Sequence, residues 1–505
     1  MAAAIVVLVG FSLRSIAEHA PLGHDESVYA LRGSYYSGDY SETRGYWSAY
    51  RAPGLPMLLG LVFRITGPSD SFARMTVLAF AVVFVLAVFA IGTMVASPWV
   101  GACAAALTAM TSAFARLSSL VFVDVAGVAV ATLAIAAALF WWRGERLARP
   151  AYIVIPGLCG LATTIRFGAP VTIAAGMIGV VLVVGLRVGP GQRRRVALEA
   201  AALGMLTGAA CAVVLFVPAA TAQSVSPVSA QRAFRDAKGI PTWRSLEDLR
   251  RLLWPDGEPT DLFHPLVFAV FALGSVVALV DVARRRSISD AGVLFSVVSG
   301  LLSIVALNIN LSHLESQYLF AVLPFAAVLA ALGVCSIWQS VSNRGRFGTA
   351  GLFAVAVAVV LVFTFAFAGQ LDRRTTSLDT SFRAIADAGY ALRSLDVDDC
   401  VVVSGTTPQA GWYSQCAATP FVNRGPDVAL GEQIRSGLTL VPTAGPTFIL
   451  YPNRGKRQPD ANLVDDSAEL TLVAERGAPE DGPRQWVRIF AVDECTLDDA
   501  CTTTP

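Results

Sequence analysis

The chain has 505 residues, of which 55% are hydrophobic and only 15% charged, with a formal net charge of +1. Soluble domains carry nearer a quarter charged residues, so this composition excludes an ordinary soluble enzyme, and the balanced charge gives no footing for nucleic acid. What remains is a chain built largely to sit in a bilayer.

Apolar runs recur through the first 370 positions, most of them long enough to cross a hydrocarbon core about 30 Å thick. In chain order the expected spans are 2–17, 70–96, 98–116, 119–142, 150–166, 169–187, 197–219, 264–283, 289–309, 317–338 and 347–369. The first has no basic residue before it and no small-residue cleavage site behind it, and it reads as a retained helix rather than a signal peptide. Basic residues mark four loops: Arg143, Arg146 and Arg149; Arg187 with Arg193 to Arg195; Arg284 to Arg286; and Arg344 with Arg346. About eleven spans with the N-terminus inside put all four on the cytoplasmic face. The same alternation puts the loop at 18–69, the hinge around Arg116 to Asp124, the loop at 220–263 and the tail from 370 on the opposite face. The expected class is therefore an α-helical polytopic membrane protein, 1–369, with a small extracytoplasmic α/β domain at 370–505.

The first outer loop opens on His24-Asp25-Glu26, close behind the first span. Carboxylates at a membrane boundary are costly to desolvate, which makes the pair a functional candidate. Ser27 to Arg32 reads as a short interfacial helix. Tyr35, Tyr36, Tyr40, Tyr46, Trp47 and Tyr50 follow, and such rings favour the headgroup layer, as anchors or facing a substrate. Leu55 to Ile65 is apolar but short, bounded by Pro53-Gly54-Leu55-Pro56 and Gly67-Pro68, and is expected to lie in the outer leaflet. Asp124 stands at the outer start of the fourth span, either as a cap on the helix dipole or as a second functional acid. Arg51 and Arg166 lie at the same boundary, either snorkelling to headgroups or binding phosphate. His313-Leu314-Glu315-Ser316-Gln317-Tyr318 adds polar groups before the tenth span.

In the tail, Cys400 to Val403 and Thr447 to Leu450 read as short strands, and Phe382 to Leu395 as an amphipathic helix with Ile385, Ala388, Leu392 and Leu395 on one face. Cys400, Cys416, Cys495 and Cys501 lie where disulfides persist; Cys400–Cys416 with Cys495–Cys501 is the simplest of three pairings. Cys103, Cys159, Cys211 and Cys335 fall within apolar spans and read as small buried residues.

At these residues the chain resembles a known family. His24-Asp25-Glu26-Ser27-Val28-Tyr29-Ala30 is similar to the acidic first-loop motif of GT-C membrane glycosyltransferases, nearest to protein O-mannosyltransferase-like enzymes and bacterial aminoarabinose transferases. Tyr50-Arg51-Ala52-Pro53-Gly54-Leu55-Pro56 resembles the family's basic residue and proline ahead of an interfacial helix, and Phe63 to Gly67 with Phe72-Ala73-Arg74 its entry to the second span. Asp124 falls at the aspartate of the second outer loop. Thr164-Ile165-Arg166 resembles a Thr-x-(Lys/Arg) segment, and His313 to Pro324 an Arg-Tyr…Pro segment. Two departures stand out: Gln317 precedes Tyr318 where arginine is common, and Ala52 separates Arg51 from the proline.

The resemblance implies transfer of a sugar from a polyprenyl-phosphate donor to an extracytoplasmic acceptor (glycan, lipid or protein), with inversion at the anomeric carbon. It implies Asp25 as general base or acceptor-orienting acid, Glu26 as its support or a metal ligand, and Asp124 as a second orienting acid. Arg51 and Arg166 would hold the lipid phosphate, with His313 and Tyr318 beside the substrate. Some relatives use a divalent ion; with four histidines in the chain, no tight zinc site is expected. Membrane lipids are the other expected partner, and the cell membrane the expected location. Two other classes fit many spans with membrane acids: a transporter or flippase, which more often shows inverted repeats and broken helices near the midplane, and a non-catalytic scaffold with a binding tail.

Overall fold

The computed structural model describes residues 2–17, 20–38, 51–142, 147–217, 225–238, 265–285, 291–310, 316–342, 382–397, 400–422, 428–441, 445–452, 459, 463–464, 467, 470–476 and 486–492. The expected span at 347–369, His313, Cys495 and Cys501, and most of the loop at 220–263 lie outside them. The chain divides into two compact units: Met1–Arg14, Ala49–Leu55 and Met75–Gly369 form the first, and Ser15–Ser48, Pro56–Arg74 and Gln370–Pro505 the second. The first-loop helices thus group with the tail, a division that boundaries drawn at 1–369 and 370–505 do not make.

The helices in chain order are α1 (Ala2–Ala17), α2 (His24–Ser37), α3 (Gly54–Thr66), α4 (Asp70–Val95), α5 (Pro98–Ala109), α6 (Ser112–Leu117), α7 (Val123–Trp141), α8 (Ala151–Ile165), α9 (Ala169–Arg187) and α10 (Arg193–Phe216). They continue with α11 (Pro227–Lys238), α12 (Pro265–Arg285), α13 (Ala291–Asn310) and α14 (Leu323–Ser342). Among the described residues six helices are long and apolar enough to cross a membrane, and five more apolar helices are shorter. This is a multi-pass membrane protein.

Two expected spans are interrupted. The run at 98–116 breaks at Met110, because the hydroxyls of Thr108 and Thr111 bond the carbonyls of Ala104 and Leu107 four residues back and compete with helix continuation. The run at 317–338 begins as a 3-10 turn, Ser316–Ala321, and becomes α-helical only at Leu323, where Pro324 fits the first turn.

Small residues let the first unit's helices approach closely, as membrane helices must when lipid offers no hydrophobic drive to association. A Cβ on Gly333 would fall on the carbonyl of Gly274, so α12 and α14 meet backbone to backbone there. Asp281 accepts from Ser336 across the same pair. Arg187, one of the topology-marking arginines, donates to the carbonyls of Met94 and Val95 and so caps the end of α4.

In the second unit, the tail forms a five-stranded sheet of β1 (Val401–Val403), β2 (Ala417–Thr419), β3 (Thr447–Pro452), β4 (Leu470–Arg476) and β5 (Val487–Val492), in the order β2-β1-β3-β5-β4. The first three strands in that order are parallel and the rest antiparallel. Side chains alternate across it. Val402, Phe448 and Leu450 meet α15 (382–393) through Ile385, Ala388 and Leu392, while Val403, Ile449 and Tyr451 meet α17 (Leu430–Leu438) through Leu430 and Ile434. Between the two lies α16 (Thr407–Ser414). Leu395, expected on the buried face of α15, lies beyond the helix end and is exposed. Cys400 and Cys416 form a disulfide across the starts of β1 and β2. Closing a loop of about 15 residues restricts the unfolded chain by roughly 3 kcal/mol. Replacing both cysteines by serine is therefore expected to lower the tail's stability by about that amount, read as a lower midpoint in denaturant-dependent limited proteolysis of the tail.

Candidate functional site

The acidic motif begins a helix rather than preceding one. Gly23 is the N-cap of α2, and Asp25 and Glu26 occupy its first turn, where the helix dipole favours negative charge. Their side chains part there. Asp25 is half-buried, while Glu26 is buried. The Glu26 carboxylate pairs with Arg74 Nε at 3.2 Å and accepts from the Gly23 N–H at 2.9 Å. Arg74 also donates to the carbonyls of Ala20 (2.7 Å) and Pro21 (3.2 Å). Glu26 is thus the acidic half of a buried ion pair with Arg74. Arg74 was legible as part of Phe72-Ala73-Arg74, but nothing in the sequence says which acid it meets.

A second buried polar group in this unit involves α16. Asp70, at the start of α4, accepts from Trp412 Nε1 (2.5 Å) and from the Tyr413 hydroxyl (2.9 Å). The same hydroxyl accepts from the Leu22 N–H at 2.6 Å. Burial, and then the nearby Asp70 charge, push the Tyr413 phenol well above the ordinary tyrosine range, so it keeps its proton and can serve both partners. Gln409 is fully buried, and with its amide assigned the orientation that satisfies both ends it donates to the Thr406 carbonyl (3.3 Å) and accepts from the His24 N–H (3.0 Å). On the next helix, α3 buries Leu55, Leu59 and Phe63 and exposes Met57, Leu61 and Ile65. That exposed stripe at every fourth position is the kind lipid covers.

In the first unit the structure gathers four of the other residues. Asp124 is in the first turn of α7, but Phe122 holds the N-cap position; the Asp124 carboxylate meets Arg166 Nε at 2.9 Å, with both side chains nearly buried. Arg166 is the C-cap residue of α8, and its guanidinium lies over the Tyr318 ring, 5.7 Å from the centroid. The 3-10 turn before α14 is what presents that ring. Arg166 Nη1 is buried and has no hydrogen-bond acceptor among the described residues. Arg51 belongs to the same corner. Ala52 packs with Phe167, and Gly54 abuts the backbone of Thr164 and Ile165 so closely that a Cβ would come within 2.7 Å of it. These contacts anchor the chain just after Arg51 against the residues on either side of Arg166.

Arg166 also rests on Gly127, where a Cβ would stand 2.4 Å from the arginine's own Cβ. Sequence reasoning passed over this glycine, since nothing marks it except its place one turn after Asp124. Gly127→Ala is expected to cost about 1–3 kcal/mol by overpacking and to displace Arg166 from Asp124, measured as a lower thermal midpoint of the detergent-solubilised protein.

Between α9 and α10 an apolar cavity of about 440 Å³ is lined by Ile173, Met177, Val181, Leu203, Gly204 and Cys211 among others. Among the described residues no three His, Cys, Asp or Glu side chains gather in a way that would hold a metal ion.

An apolar helical unit with acids and arginines at helix ends, and a small α/β unit carried by the same chain, define the class. The chain has the GT-C fold of membrane glycosyltransferases. It is similar to ArnT from Cupriavidus metallidurans bound to undecaprenyl phosphate, at 13% identity over 98% of both chains with a TM-score of 0.64. It is also similar to the archaeal oligosaccharyltransferase AglB from Archaeoglobus fulgidus in complex with an inhibitory peptide and a dolichol-phosphate, at 13% identity and a TM-score of 0.50, covering 88% of this chain and 69% of that one. The Archaeoglobus fulgidus oligosaccharyltransferase tethered to an acceptor peptide containing the NVT sequon gives 13% identity, 89% and 69% coverage and a TM-score of 0.53. No family model matches the sequence, and no curated protein matches it.

Proposed function

We propose that the protein is a glycosyltransferase that moves a sugar from a polyprenyl-phosphate donor to an acceptor outside the cytoplasm, with inversion at the anomeric carbon. The observation that carries this reading is the buried Arg166, held by Asp124 through Nε while Nη1 has no acceptor among the described residues. A buried guanidinium with an open N–H is costly unless an oxyanion completes it, and phosphate oxygens match its fork. Arg51 adds a second cation at that corner, and Tyr318 backs the guanidinium. The apolar cavity between α9 and α10 suits a prenyl chain.

In this reading an acceptor hydroxyl or amine attacks the anomeric carbon from the face opposite the phosphate. The new bond to the acceptor forms as the bond from carbon to phosphate oxygen breaks, and the electron pair leaves with the polyprenyl phosphate. Arg166 and Arg51 stabilise the charge that gathers on the leaving phosphate. Asp25 takes the acceptor's proton as general base. Asp124 holds Arg166, and Glu26 supports the helix that bears Asp25. His313 is assigned to the substrate on resemblance alone. The cell membrane is the location, with the tail and Asp25 on the extracytoplasmic side, where the Cys400–Cys416 disulfide would persist.

The test is sugar transfer in membranes from a labelled lipid-linked donor, comparing wild type with Asp25→Asn and Asp124→Asn. Label moving from lipid to an acceptor, lost in the variants, is the expected result. Full activity in both variants at normal expression would remove the site assignment. Movement of intact donor across the membrane without cleavage would instead point to a flippase.

A further inference from the structure

We propose that the tail helix α16 positions the catalytic loop, with Tyr413 and Gln409 holding the entry to α2 so that Asp25 is presented for transfer. The inference rests on the glycosyltransferase reading and adds two positioning residues to it.

The first backbone N–H groups of α2 and of the turn before it have no intrahelical partner, and a turn of this kind frays unless side chains satisfy them. Here three consecutive N–H groups are each satisfied by a different side chain. Leu22 donates to the Tyr413 hydroxyl, Gly23 to Glu26, and His24 to Gln409. The carbonyls just upstream, of Ala20 and Pro21, are taken by Arg74. Every one of these bonds lies within seven residues, Ala20 to Glu26, and Asp25 is the one acid of the stretch left half-buried. Two of the five side-chain bonds come from a helix almost four hundred residues away in sequence.

Tyr413 is itself fixed. Its hydroxyl donates to Asp70, which Trp412 also bonds, and its ring packs against Tyr390 at 5.2 Å between centroids. A Cβ on Gly389 would strike the Tyr413 Cβ at 2.4 Å, so α15 closes over the same residue. Gln409 is buried and spends both ends of its amide, one on α16's own backbone and one on His24. Both bonds satisfy backbone N–H groups that the helix cannot, and so hold the backbone at a set height and rotation, which is what a base on the next residue requires.

The experiment uses the full-length protein in detergent or lipid nanodiscs, with Tyr413→Phe, Gln409→Met and the double variant. Phe keeps the ring and Met the approximate volume, so the packing is kept while the hydrogen bonds are removed. Two quantities are read: steady-state transfer from a labelled polyprenyl-phosphate sugar, and amide hydrogen exchange of the peptide covering residues 20–32. The expected result is kcat down about 10- to 100-fold in each variant with the donor KM within about twofold of wild type, together with faster exchange confined to that peptide. Unchanged kcat overturns the proposal, whether exchange rises or not, because α16 would then be a structural support only. A rise in donor KM with kcat unchanged overturns it too. Should wild type transfer no sugar to any acceptor, the glycosyltransferase reading falls, and unchanged exchange in the variants would separately show that α16 does not hold the loop.

Discussion

Asp25→Asn protein, inserted and folded at the wild-type level, is expected to transfer sugar on the order of a hundred to ten thousand times more slowly than wild type. The size follows from the proposed role: an amide cannot take the acceptor's proton, and general base catalysis is typically worth that factor. Normal folding follows from position. Asp25 is half-buried in the first turn of α2, and asparagine keeps its size and its capacity to accept a hydrogen bond there. The charge-to-dipole contribution lost at a helix start is a few tenths of a kcal/mol to about 1 kcal/mol. A thermal midpoint within a few degrees of wild type, with kcat collapsed, is the signature. Residual activity above a tenth of wild type would move the base elsewhere.

Glu26 gives the opposite signature, although the two acids are neighbours and look interchangeable in sequence. Its carboxylate neutralises buried Arg74, and removing one partner of a buried ion pair strands the other at a cost of roughly 3–5 kcal/mol. Glu26→Gln is expected to fail first in expression and thermal stability. The pair of variants therefore separates a base from a support by measurement.

The helical class and the positions of the interior spans were legible because apolar length is a local property. Ile385, Ala388 and Leu392 announced their shared face in the same way, and two of the sheet's buried strands, β1 and β3, announced themselves as short apolar runs, while β2 and β5 did not. Partnerships were not legible. Arg166 read equally well as a snorkelling cation, and only folding sets Asp124 and Tyr318 against it. Gly127 and Gly54 looked like ordinary small residues, because what makes them matter is the backbone or side chain that approaches them. Arg74, Asp70, Gln409 and Tyr413 lie far apart in the chain, and no periodicity links a tail tyrosine to the N–H of Leu22. A break such as the one at Met110 was missed for a related reason: hydropathy counts threonine as tolerable in a span, while its hydroxyl bonds the backbone that would continue the helix.

Arg166→Lys is expected to lower kcat/KM for the lipid donor about 10- to 100-fold through KM more than kcat, while leaving the protein folded. Lysine keeps the charge, so Asp124 retains a counter-ion and the 3–5 kcal/mol penalty of a stranded buried carboxylate is avoided. What lysine loses is the fork. Arg166 spends Nε on Asp124 at 2.9 Å and turns its plane over Tyr318, which leaves Nη1 for an incoming oxyanion; a single ammonium cannot serve both in fixed directions. A charge-assisted hydrogen bond is worth about 1.5–3 kcal/mol, which converts to roughly the stated factor. Arg166→Met is the harsher control and should strand Asp124, dropping the thermal midpoint as well as activity. Adding Asp124→Leu to Arg166→Met should then restore stability without restoring donor affinity, because the buried charge is gone and the phosphate ligand with it. Donor KM unchanged in Arg166→Lys, measured on protein with wild-type stability, would take the phosphate away from this arginine and leave Asp124–Arg166 as a structural pair joining α7 to the end of α8.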